Sequence, residues 1–170
     1  MKRLVCYLLI ISSIFCLLAC GEVEMDASAN FYYVRKEYVY GQEDGVIAAE
    51  KRKLTELSDI RGILNTYLSG PQDPLLELPF APNTEIIRFS QEDDTLYITL
   101  SSHIITLSKA KQVLACTCLA RTVIELSEVE KVYFETDNNA VARMDPISIT
   151  KDSYLLFDDY NSTNPTDMDE

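Results

Sequence analysis

Histidine is nearly missing from this chain: His103 is the single one in 170 residues. No motif sets an acidic or nucleophilic partner beside it, so triad and imidazole acid–base chemistry have no footing here, and a structural histidine is the expectation. The five glycines spell neither G-x-G-x-x-G nor G-K-[ST], which removes the phosphate cradles built on those patterns. Positive charge is scarce as well. Fifteen Lys and Arg stand against 27 Asp and Glu, a net charge of −12, and without a basic patch to neutralise phosphates, nucleic acid is not a partner. Long hydrophobic runs are confined to the N-terminus, so the chain is not polytopic, while 47% hydrophobic residues are too many for a wholly disordered one. What remains is one globular domain.

Cysteine is informative through position. Lys2 and Arg3 precede an uncharged, mostly apolar run from Leu4 to Ala19, roughly 24 Å long as a helix and short for a hydrocarbon core of about 30 Å. The run ends in Leu17-Leu18-Ala19-Cys20-Gly21, which looks like a bacterial lipobox. Residues 1–19 are thus expected to be a lipoprotein signal peptide, and the Cys20 thiol to carry a diacylglyceryl group after cleavage. Multiple acyl chains anchor a protein stably, so the chain should stay on the extracytoplasmic face of the membrane. The mature chain would hold 13 bases against 27 acids, and an anionic membrane would repel it. A covalent tether, not charge, must keep it there. Cys6 and Cys16 leave with the signal, and only Cys116 and Cys118 remain. Two positions apart on a helix they point about 200° away from each other, so they are read as small buried residues, neither a bridge nor a zinc site.

Residues 20–29 read as a spacer. Phe31 to Tyr40, dense in Tyr and Val, and Val46 to Leu54 read as two strands around a turn with Gly41 and Gly45. The basic run Lys51-Arg52-Lys53 reads as a solvated strand end. Leu57, Ile60, Ile63, Leu64, Tyr67 and Leu68 fall at helical spacing, predicting a helix over 56–69 that stops at Gly70-Pro71. After a proline-bearing loop come strands over 85–90 and 95–100, joined by a turn at Glu92-Asp93-Asp94. A second helix spans 108–126, capped by Ser108 or Thr106. Lys109, Lys111 and Glu125 run against its dipole, so burial must hold it. A strand over 132–136, a turn at Asp137-Asn138-Asn139 and a weak strand over 146–149 complete a domain over 30–150. Residues 151–170 form an acidic tail, expected to be disordered. Calcium capture by Asp158 and Asp159 has no EF-hand spacing to support it.

The expected fold class is α+β: a small open sheet with two helices packed on one face, in the order β-β-α-β-β-α-β(β). Leu96, Ile98 and Leu100 share the face turned to the helices, as do Val132 and Phe134. Tyr97 and Tyr133 point the other way. Aromatic residues on an uncovered sheet face suggest a partner, which makes these two tyrosines the candidate binding residues. No metal ligands, catalytic residues or cofactor are assigned. The pair Asp93-Asp94 could serve glycoside hydrolysis only if two carboxylates faced each other across a cleft, which sequence cannot place.

The stretches Leu64-Asn65-Thr66-Tyr67-Leu68-Ser69-Gly70-Pro71 and Leu78-Pro79-Phe80-Ala81-Pro82-Asn83-Thr84-Glu85-Ile86 resemble the GerMN domain family of sporulation and spore-germination lipoproteins. So do Leu96-Tyr97-Ile98-Thr99-Leu100-Ser101, Ala115-Cys116, and the block from Ala120 through Glu125-Leu126 to Val132. The resemblance implies a fold similar to ring-building modules. It also implies a non-catalytic role in assembling envelope complexes, with envelope proteins or further copies of the chain as partners. A peptidoglycan or wall-polymer binding module, with Tyr97 and Tyr133 stacking on sugars, is the alternative.

Overall fold

The computed structural model describes residues 28–37, 45–53, 59–137 and 142–153. Strand β1 (Ser28–Arg35) pairs antiparallel with β2 (Ile47–Lys53), Phe31 facing Glu50 and Tyr33 facing Ala48. Helix α1 (Ile60–Leu68) starts at Asp59, whose carboxylate accepts the Gly62 N–H at 2.7 Å, the side-chain cap that an N-terminus needs. It ends where Gly70 takes φ +82°, a left-handed geometry that glycine adopts without penalty. Residues 54–58, which include Leu57 and Glu56 of the predicted helix, lie outside the described residues.

A two-residue strand β3 (Leu76–Glu77), inside the segment expected as loop, pairs with β1 at Val34 and Arg35. Strands β4 (Ile86–Glu92) and β5 (Thr95–Leu100) form the expected hairpin, with Asp93 at φ 53° in the turn. A short 3₁₀ turn over Ser102–Thr106 leads into helix α2 (Lys109–Leu126), whose Ser108 hydroxyl accepts the Lys111 N–H. From α2 the chain returns to β6 (Lys131–Thr136), parallel to β5, and β7 (Ile147–Thr150) closes antiparallel to β6. An 18-residue helix between β5 and β6 is the crossover that a parallel pair requires.

The α+β class stands, with one change to the expected layout: the strands make two sheets, β2-β1-β3 and β4-β5-β6-β7, instead of one. The reason lies at β1. Its Tyr32 N–H, on the edge away from β2, is accepted at 2.9 Å by the Thr122 hydroxyl of α2. A helix thus satisfies the backbone group that another strand would have taken. Helix α2 touches β1, α1, β6 and β7, and Ala115, Cys116, Cys118, Leu119, Ala120 and Val123 are all buried. Burial around most of the circumference is why the helix tolerates lysines in its first turn.

The basic run of β2 is corrected. Lys51 and Lys53 are exposed, but Arg52 is 8% exposed. Its guanidinium lies over Phe31 and Tyr33, 5.3 and 5.6 Å from the ring centres. It bonds Glu50 at 2.6 Å, the Thr66 carbonyl at 3.1 Å and the Gly70 carbonyl. Strand alternation puts Arg52 on the same face as Glu50, and the carbonyls freed at the end of α1 complete its donor set.

Candidate functional site

The face of β4-β5-β6-β7 that holds Tyr97 and Tyr133 is the candidate site. Leu96, Ile98 and Leu100 of β5 and Val132 and Phe134 of β6 are fully buried on the other side, so the pleat turns Tyr97 and Tyr133 outward. Parallel register sets Tyr97 beside Tyr133, with Ser90 and Ser148 flanking them in the same cross-strand row. The rings are 5.6 Å apart and inclined by 54°, within the range of favourable aromatic pairs. Tyr97 is 38% exposed, one of three large apolar side chains among the described residues that stand out from the surface, with Leu75 and Ile87.

One row along, Arg88, Thr99 and Glu135 stand side by side. The Arg88 guanidinium donates to Glu135 Oε1 at 3.2 Å, and the Thr99 hydroxyl donates to the same oxygen at 3.2 Å. Sequence reasoning missed this triplet, because pairing across three strands is invisible without the register. The site is therefore a shallow patch: two ring faces, phenol and serine hydroxyls, and an ion pair at one end. It can stack and hydrogen-bond a ligand, and it presents no enclosed cleft.

Other residues singled out by the sequence have structural employment. His103 is exposed on the 3₁₀ turn, its Nδ1 3.3 Å from the Ser101 hydroxyl. That hydroxyl also accepts the Glu85 N–H at 3.0 Å, so it ties the end of β5 to the start of β4. The carbonyl of Asp94 accepts the N–H groups of Glu130 and Lys131, and its carboxylate accepts the Thr95 hydroxyl at 3.1 Å. The Asp93-Asp94 pair therefore builds a hairpin. Cys116 and Cys118 are free and buried, and burial pushes both thiols far up from their ordinary range. Thiolates, the reactive form, are suppressed there. Cys20 lies outside the described residues.

The family model described as Germane, sporulation and spore germination, matches residues 30–142. The chain belongs to this family. Its GerMN-type fold is shared with the first GerMN domain of the sporulation protein GerM from Bacillus subtilis, at TM-score 0.51 and 14% identity, over 68% of this chain and 86% of that one. The tandem GerMN domains of the same protein align at TM-score 0.47 and 17% identity, over 72% of this chain and 43% of that one. A candidate lipoprotein from Clostridium perfringens aligns at TM-score 0.45 and 17% identity, over 78% of this chain and 93% of that one. Among curated proteins, none matches. The family match ends at residue 142, ahead of β7 (Ile147–Thr150), which pairs with β6 in the same sheet.

Proposed function

We propose that this GerMN-type protein is an envelope lipoprotein that works as a non-catalytic interaction module in sporulation or germination. Diacylglyceryl at Cys20 holds it on the extracytoplasmic face of the membrane. It binds protein through the Tyr97–Tyr133 face, either envelope components or further copies of itself. The observation that carries this reading is the tyrosine pair on an uncovered sheet face. Amphipathic rings with a wet end and an apolar body suit protein interfaces. Their 54° inclination favours protein over a wall glycan, because two tilted rings offer no common plane on which successive sugar faces could lie.

The test is a photo-crosslinking residue at position 97 in intact cells, with Cys20→Ala as a second arm. Adducts with envelope proteins or with a second copy are expected, lost when Tyr133→Ala is added. Cys20→Ala should release the protein from the membrane fraction. Retention on purified peptidoglycan that the Tyr97→Ala, Tyr133→Ala variant loses, without protein adducts, would instead establish the wall-polymer reading. An unmodified thiol at position 20 in the mature protein would remove the anchor.

A further inference from the structure

Four strands stand at sheet edges: β2 and β3 in one sheet, β4 and β7 in the other. An edge invites pairing with another chain, and proteins blunt it with lysines, bulges or shortness. Strand β2 carries the exposed Lys51 and Lys53, β3 has two residues and β7 has four. Strand β4 lacks these protections along most of its length. Its bulge lies between Ile86 and Arg88, and from there Arg88-Phe89-Ser90-Gln91-Glu92 runs in regular register with β5, without lysine or proline. The phase of the hydrogen bonds shows which backbone groups this edge leaves open. The Asp94 and Leu100 carbonyls accept from Lys131 and Asp137 on the β6 side, whereas the Ser101 N–H donates to Glu85 on the β4 side. Odd-numbered residues of β5 therefore bond β4. Opposite Thr95, Tyr97 and Thr99 stand Glu92, Ser90 and Arg88, so the N–H and C=O groups of Phe89 and Gln91 point away from the sheet.

We infer that this edge pairs antiparallel with the same edge of a second copy, about a two-fold axis at Ser90. In that register Phe89 and Gln91 of each copy oppose Gln91 and Phe89 of the other, and their outward groups close four main-chain bonds. Arg88 opposes Glu92 of the second copy in a non-hydrogen-bonded pair, where side chains approach most closely, and the symmetry makes this contact twice. Charge selects the register: an axis at Arg88 or at Glu92 would set like charges against each other. Arg88 gives one nitrogen to Glu135 and has further donors for the second carboxylate. The contact is continuous with the tyrosine face. Ser148, Tyr133, Tyr97 and Ser90 form one cross-strand row, which the axis extends into the second copy. Two four-stranded sheets become one, with the two Tyr97 residues on the same side, three strand spacings or about 14 Å apart. The dimer contact depends on neither the lipid nor the ligand of the tyrosines.

The experiment introduces Ser90→Cys into the full chain and oxidises detergent extracts of cells that make it with copper phenanthroline. Across the axis the two Cα atoms would be about 4.5 Å apart, within disulfide range. A disulfide-linked homodimer is expected, and Ser148→Cys, exposed in the same row at the opposite edge, should give about tenfold less. Adding Glu92→Arg to Ser90→Cys should cut the dimer about fivefold, and adding Arg88→Glu to that pair should restore it. Native mass spectrometry of the extracted chain without the new cysteine should find dimers, which Glu92→Arg converts to monomers. Equal crosslinking at positions 90 and 148, adducts with other proteins in place of the homodimer, a yield indifferent to charge reversal, or a monomeric parent chain would overturn the inference. Each of these results leaves crosslinking from position 97 to decide the tyrosine face separately.

Discussion

At the scale of single residues, Arg52 shows how much one side chain can organise. It joins β2 to the end of α1, and its partner Glu50 accepts the N–H groups of Gln72 and Asp73 at 2.8 Å each. The pair thus fixes the loop that leads to β3. Truncating one member of a buried ion pair strands the other. Arg52→Ala should therefore destabilise the fold by about 3–5 kcal/mol, while Lys51→Ala, one position away on the solvent side, should stay within about 0.5 kcal/mol. Urea unfolding of the two variants checks the contrast, and equal losses would refute the assigned orientation. Composition alone reads Lys51-Arg52-Lys53 as one basic run. Strand alternation separates the middle residue from its neighbours, but the choice of face depends on Glu50, Phe31 and the carbonyls at the end of α1 being on the same side.

At the scale of elements, α2 is the piece that both sheets share, and the Tyr32–Thr122 bond is where it replaces a strand. Thr122 is fully buried and in turn donates to the Cys118 carbonyl at 2.9 Å. Thr122→Val keeps the shape but removes the acceptor, leaving a buried N–H unpaired. The expected cost is about 1–3 kcal/mol, together with faster amide exchange at Tyr32, measured by hydrogen exchange against the wild type. Unchanged exchange at Tyr32 would refute the Thr122 hydroxyl as what protects this amide. The helix itself was legible from its apolar run and absent breakers, and so were α1 and most strands, since their periods are written locally. Strand β3 was not: two residues carry no period, and Leu76-Glu77 is a strand only because β1 passes beside it.

At the scale of the whole molecule, buried tyrosines link the core to pH. Burial first, with help from Glu125, raises the Tyr32 phenol to about 12, and burial raises Tyr33 likewise to about 12. These groups hold their protons in the folded state at pH values where the unfolded chain, titrating near 10, has lost them. Their contribution is therefore complete below about pH 10 and disappears as pH rises from there towards 12. The urea midpoint should be flat from pH 7 to 9 and fall steeply above 10, and Tyr32→Phe should make that fall shallower. A midpoint insensitive to pH between 10 and 12 would contradict the burial of these phenols. The candidate site divides in the same way between what is local and what is not. Alternation along β5 and β6 put Tyr97 and Tyr133 on the outward face from sequence alone, because side-chain direction in a strand follows from the backbone of that strand. The sequence likewise determined the two helices, the Ser108 cap of α2 as one of two candidates, and the family resemblance, all carried by contiguous residues, whereas the Asp59 cap of α1 came from the structure. Only the tertiary structure decided that there are two sheets, that Tyr97 touches Tyr133 and that Arg52 is buried. Each of these depends on register or packing between segments far apart in the chain, and no local pattern encodes which distant partner a segment will meet.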